Sequence, residues 1–295
     1  MKIAYLILAH NNELHLKRLV SAIKTKCSDI YVHIDRKYKN NFEYISKMNY
    51  VYSNYSVEWG DFSVCEATLH LLQEAHNRGF YDYYFLISGA DYPIKNNDYI
   101  RKYLRQSMGK EFIGIKMMPT SDKPLYRFEK YHIPGMYRHI FGSMLINNLN
   151  TIIRKLPYKR KFPVEISSLQ PYAGTAWWCL SGGCIDYIMT RLKKHPILFE
   201  YYKNTSVPDE MFFHTIVGNS KFMSNVTNTL TYTDWSMGGA HPMNIDYRHL
   251  PMIREQNKLK PTENKRRVYL FARKFNDQSG KIVKAIDKII KSSSQ

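Results

Sequence analysis

Residues Pro208-Asp209-Glu210 run directly into Met211-Phe212-Phe213-His214. A carboxylate beside aromatic side chains is partly desolvated, and loss of water raises its pKa toward the range useful to a general base. The same acids suit the first turn of a helix, with Pro208 at its first position and Asp209-Glu210 at the positive end of the dipole. Both roles stay open on these residues alone. A second candidate is Arg273-Lys274, set in Phe271-Ala272-Arg273-Lys274-Phe275. Cations fixed between apolar neighbours are weakly screened and can stabilise a departing phosphate; the alternative is a solvated basic pair. The chain contains no Asp-x-Asp, no GxGxxG and no Walker A loop. Any diphosphate handled here would be neutralised by side-chain cations, so no metal is expected. His10, His33, His70 and His214 lack metal-ligand spacing, and core or surface roles are expected of them.

The elements that must position these groups alternate. Ile3–Ala9 is an apolar run of strand length, and Glu13–Lys24 carries Leu16, Leu19, Val20 and Ile23 at helical spacing. Strands follow at Ile30–Ile34, Asp82–Ile87, Phe112–Ile115 and Gly174–Leu180. Helices are predicted at Phe62–Asn77, Asn97–Gln106, Ile185–Lys194 and Pro208–Val217. Such alternation predicts an α/β fold with a mostly parallel central sheet. Ligands of such sheets sit beyond the carboxyl ends of the strands. Three apolar runs end there in polar groups: Ala9-His10-Asn11, Asp35-Arg36-Lys37 and Ser88-Gly89-Ala90-Asp91. Each alone is equally a turn or cap; together they favour a nucleotide pocket, with Asp35 suited to a ribose or base.

The middle, about 117–172, holds six prolines among basic and aromatic residues and reads as long loops and short helices, an irregular acceptor-side lobe. One domain is expected over 1–280, with a nucleotide-binding half (about 1–116) and an acceptor and catalytic half (about 117–280). The end, 281–295, reads as a basic amphipathic helix: Ile282, Val283, Ile286, Ile289 and Ile290 flanked by Lys281, Lys284, Lys288 and Lys291. Such a helix either lies on an anionic membrane or packs on the domain with a solvated lysine face.

The chain has 295 residues, 44% hydrophobic and 23% charged, which excludes disorder, collagen and coiled coil as the main architecture. Its net charge of +18 favours anionic partners. Cys27, Cys65, Cys179 and Cys184 form no CxxC pair and are expected to stay reduced. No membrane span or secretory leader is expected. No nucleic-acid-binding signature is present, so nucleic acid is not an expected partner.

Several segments resemble the Core-2/I-branching glycosyltransferase family, which includes β-1,6-N-acetylglucosaminyltransferases and peptide O-xylosyltransferases. They are, in order, Ile3–His10, Val32–Lys37, Val57-Glu58-Trp59-Gly60, Asp91–Lys95, Trp177–Leu180, Pro208–Thr215 and Phe271–Phe275. The resemblance implies a GT-A-like, Rossmann-like fold and inverting, metal-independent transfer from a UDP-sugar, with GlcNAc or xylose the expected sugar. It implies Glu210 as catalytic base and Arg273 and Lys274 on the UDP diphosphate. Leu8, His10, Asp35, Val57, Glu58, Trp59, Asp91 and Trp177 fall in nucleotide-sugar segments, and Trp178 and Asp209 on the acceptor side. Two positions depart from the family pattern. Ala176 replaces a polar residue before the first tryptophan, and Thr231 stands where bacterial-type relatives tend to have Arg. A contact from position 231 is therefore lost or moved. A cytoplasmic bacterial-type enzyme of surface polysaccharide synthesis is the expected setting, peripheral on the inner membrane face. Its partners are a UDP-sugar, a glycan or lipid-linked oligosaccharide acceptor and an anionic membrane. A catalytically inactive relative or a basic anionic-polymer-binding protein is the competing reading.

Overall fold

The computed structural model describes residues 1–135, 140–239, 241–262 and 266–293, with the side chains of 140–143 excepted. In chain order the strands are β1 (Ile3–Ala9), β2 (Ser28–Ile34), β3 (Val51–Tyr52), β4 (Tyr83–Ser88), β5 (Asp91–Pro93), β6 (Glu111–Met117), β7 (Tyr172–Ser181), β8 (Val226–Thr227), β9 (Thr231–Thr233) and β10 (Phe271–Arg273). The helices are α1 (Glu13–Ile23), α2 (Ser63–Arg78), α3 (Asn97–Gln106), α4 (Tyr126–Glu129), α5 (Ile140–Lys155), α6 (Gly182–Lys194), α7 (Ile197–Lys203), α8 (Phe212–Gly218), α9 (Leu250–Lys258) and α10 (Gly280–Ser292).

Seven strands form the central sheet in the order β3-β2-β1-β4-β7-β6-β8. β1 runs parallel to both β2 and β4, while β7 is antiparallel to β4 and β6. The sheet is thus mixed, mostly parallel and flanked by helices, as expected. Successive strand residues point to opposite faces. Ile3, Tyr5, Ile7 and Ala9 of β1 accordingly enter one apolar cluster, with residues of α1, α3, α9 and α10. Ala4 and Leu6 enter the other, with α2, α6 and α8. The four cysteines are unbridged.

Two expectations need correction. The middle lobe contains a sixteen-residue helix, α5, hidden in the sequence by its proline-rich flanks. Pro208–Val217 is not one helix. Pro208–Glu210 is a 3-10 turn, Met211 breaks it at φ −135°, and α8 begins at Phe212. For α10 the structure shows the second of the two readings, packing on the domain. Ile282, Val283 and Ile286 are buried in the first cluster, leaving Lys281, Lys284 and Lys288 exposed. Residues 294–295 of that predicted helix lie outside the described residues. A small sheet, β5-β10-β9, was also not visible in the sequence, because three-residue strands carry no readable period. Among the described residues no helix is long and apolar enough to cross a membrane.

Candidate active site

The parallel register brings the ends of β1, β2 and β4 level, with Ala9 opposite Ile34 and Leu8 opposite Ser88. His10, Asp35 and Gly89 therefore leave the sheet side by side, where the strand order reverses direction around β1. The Leu8 carbonyl accepts from Gly89 N at 2.8 Å. Asp35 is buried, and its Oδ1 accepts from Lys37 N (3.0 Å) and Val57 N (3.2 Å). This carboxylate fastens the Val57-Glu58-Trp59 loop to the end of β2. Lys37 completes the clamp: its Nζ lies 2.8 Å from Glu58 Oε1 and 2.7 Å from the Val57 carbonyl. Loss of water around the His10 ring lowers its pKa, with Asp35 opposing and Lys37 and Lys274 adding to the effect. Lys274 thus stands within electrostatic reach of the β1 and β2 ends. Its backbone is pinned on both sides, N–H to the Met243 carbonyl and C=O to Ile245 N at 2.9 Å.

β10 sets Arg273 directly opposite Asp91 of β5 and beside Thr233 of β9. Arg273 Nε is 3.3 Å from Asp91 Oδ1, and the guanidinium lies 4.6 Å from the Trp177 ring centre. A planar cation between a carboxylate and an indole face is held in one orientation. Asp91 is 0% exposed, and its carboxylate faces Arg273 inside the fold rather than outward, where the sequence reading places it among the nucleotide-sugar segments. Burial pushes the Asp91 pKa up to about 6, against the pull of Arg273 and of the Ser88 N–H.

The catalytic candidate sits in the 3-10 turn after Val207, which adopts φ 54° and donates its N–H to the Gly60 carbonyl at 3.0 Å. That bond ties the turn to the Trp59 loop. Glu210 Oε2 pairs with Arg127 Nη1 at 2.9 Å and with Lys123 Nζ. The sequence reading anticipated a carboxylate activated by desolvation; the structure instead gives Glu210 two cations. Desolvation acts on its neighbour. Asp209 Oδ1 is sealed from water without a hydrogen-bond partner, and burial, then the Glu210 charge, push the Asp209 pKa up to about 7. The turn packs against β7, the strand whose Trp177 covers Arg273. The turn that carries Glu210 and the Arg273 side chain thus both contact β7.

Trp178 does not face an acceptor. It is 2% exposed, and its ring is 5.4 Å from that of Phe213 in the core. The strand pleat explains this, since Trp177 and Trp178 must point to opposite faces. Trp59 is 54% exposed at the rim. Lys123 and Arg127 were missed by sequence reasoning, and Lys37 was read only as part of a polar strand end. Lys123 and Arg127 show only as basic residues four apart, and their partner is 87 and 83 positions away. A further network supports Lys274. Asp246 N lies 3.1 Å from His249 Nδ1, and His249 Nε2 lies 2.9 Å from Asp234 Oδ2. Met243 N in turn donates to the Asp234 carbonyl.

Asp209→Asn tests the electrostatics. A carboxyl whose folded pKa is raised to about 7 contributes stability that is complete below its unfolded value and lost as pH rises through the folded one. Asparagine removes that loss. The variant is expected to gain stability relative to the parent as pH rises from about 4 to above about 7, by a few kcal/mol in all. Thermal melts across that interval check it; a pH-independent difference would show Asp209 to be ordinarily solvated.

The sequence profile of the Core-2/I-Branching enzyme family matches residues 3–258. Xylosyltransferase 2 of Rattus norvegicus is 24% identical over 250 residues, 80% of this chain and 27% of that protein. The Bos taurus xylosyltransferase 2 is 25% identical over 303 residues, 93% of this chain and 32% of its own. The chain thus spans about a quarter to a third of the length of the curated relatives it matches. Apo mouse xyloside xylosyltransferase 1 superposes over 92% of this chain and 97% of its own, with 10% identity and a TM-score of 0.37, too low to carry weight.

Proposed function

The chain belongs to the Core-2/I-branching enzyme family, and from that premise we propose that it transfers a sugar, GlcNAc or xylose, from a UDP-sugar to a glycan hydroxyl. Transfer proceeds with inversion and without a metal. The carrying observation is Arg273, next to Lys274, held between Asp91 and Trp177 of β7, the strand against which the Glu210 turn packs. Glu210 accepts the proton of an acceptor hydroxyl. That oxygen attacks the anomeric carbon from the face opposite UDP, and the bond from that carbon to the diphosphate oxygen breaks. The leaving diphosphate gains charge, which Arg273 and Lys274 stabilise without reorganising, since both are already anchored. Lys123 and Arg127 fix the orientation of the Glu210 carboxylate. Asp35, with the Val57–Trp59 loop it secures, receives the nucleoside. The setting proposed is bacterial surface polysaccharide synthesis at the cytoplasmic side.

Two measurements test this reading. Incubation with a panel of UDP-sugars, followed by NMR of the product's anomeric configuration, is expected to find one donor turned over and a β-linkage formed. Hydrolysis of none, or retention of configuration, would remove the proposal. Activity in excess EDTA is expected to equal that in its absence. A strict manganese requirement would mean that Arg273 and Lys274 do not replace a metal.

A further inference from the structure

Among the described residues, α5 leaves an apolar face without a partner. Leu145, Leu149, Ile152 and Leu156 are 63%, 40%, 55% and 49% exposed. Leu156 follows the helix end and still bonds back to the Ile152 carbonyl. At 3.6 residues per turn these four side chains fall within an arc of about 60°. Soluble surfaces rarely leave such a stripe uncovered, and where they do it marks an interaction site. The helix is fastened to the body by Asn150, whose amide exchanges two hydrogen bonds with the backbone of Ile133.

The charges around the stripe say what covers it. Residues 130–164 contain seven Lys or Arg and no Asp or Glu. Arg160 is turned inward onto the carbonyls of Tyr201 and Asn204. Lys155 and Lys161 are exposed, as is Lys159, which reaches Glu129 at 2.8 Å. Tyr158, 60% exposed beside them, is a residue type suited to a membrane–water boundary. A second copy of this chain docked on the same face would set like charges against one another. An anionic surface would not.

We propose that α5 is an interfacial anchor: its apolar arc inserts at the headgroup boundary of an anionic bilayer, with Lys155, Lys159 and Lys161 on the lipid phosphates. A helix with an apolar face and a basic border lies in that plane, drawn by buried apolar area and by headgroup charge together. α10 cannot do this, because its apolar side chains are already in the core. Docking needs no catalysis, so the test reads binding alone and stands or falls apart from the sugar-transfer reading.

The test is co-sedimentation of the full chain with phosphatidylcholine vesicles, with and without about 30 mol% phosphatidylglycerol. The unaltered protein is expected to bind the anionic vesicles only, and less tightly as salt rises. Leu149→Asn with Ile152→Asn is expected to weaken binding at least about tenfold. Lys155→Glu with Lys161→Glu should do the same, while Lys284→Glu with Lys288→Glu keeps most of the binding. Should the apolar variant melt early, the charge variant decides alone, since its residues are solvated. The proposal is overturned if the unaltered protein ignores anionic vesicles, or if the charge variant binds like the parent. It is equally overturned if the stripe mediates a dimer in sedimentation velocity that binds no vesicle.

Discussion

Glu210→Gln is expected to bind UDP as the unaltered protein does and to turn over roughly 10²–10⁴-fold more slowly, the range for loss of a general base. Glutamine keeps the size of the side chain and can still accept from Arg127 and Lys123, so the turn after Val207 is preserved. What it cannot do is take a proton from a hydroxyl. UDP affinity is spared because the cations proposed for the diphosphate are anchored elsewhere, Arg273 by Asp91 and Lys274 by the Met243 and Ile245 backbone. Calorimetry with UDP and initial rates with donor and acceptor separate the two effects. Near-normal turnover would defeat the assignment. Combined with an inactive Asp209→Asn, it would move the base one residue back, to the carboxyl whose pKa burial has pushed up to about 7.

Arg273→Met is expected to cost about 10²–10³-fold in kcat/KM, the loss typical when one preorganised charge-stabilising group is removed. It is also expected to destabilise the fold, for a reason separate from catalysis. Asp91 is fully buried and Arg273 is its counter-charge. Breaking a buried pair by deleting one partner costs about 3–5 kcal/mol, because a charge is left stranded. The sign with pH follows. Asp91 already has its pKa raised to about 6 with Arg273 in place, and without that cation it rises further. Below its folded pKa the carboxyl is neutral and the stranded charge disappears. The melting temperature of Arg273→Met should therefore approach that of the parent near pH 5 and fall well below it near pH 8 (both approximate). Arg273→Met with Asp91→Asn should recover stability at high pH and leave activity low. A pH-independent stability loss, or activity restored in the double variant, would contradict the role given to Asp91.

The strands and helices around the pocket were legible because their signals are local. Ile3–Ala9 alternates between two buried faces, and Glu13–Ile23 carries an apolar stripe. Their polar ends, His10, Asp35 and the Ser88–Asp91 segment, could be placed at one sheet edge once parallel order was inferred. The Pro208–Glu210 turn was legible as a short acidic motif but not as a turn. The break at Met211 comes from Phe212 and Phe213 entering the core, which no local period records.

By itself the sequence determined that this is a sheet flanked by helices and which strand ends carry polar groups, and it singled out Glu210, Arg273 and Lys274 as the residues proposed for the chemistry. Only the tertiary structure decided what stands opposite each of them. It paired Glu210 with Lys123 and Arg127, seated Arg273 on Asp91 and Trp177, turned Trp178 inward, buried the stripe of α10 and left that of α5 open. The reason is physical: side-chain periodicity reports that an element has an apolar face or a charged end, whereas partners distant in the chain are chosen by register and packing, which one segment cannot encode.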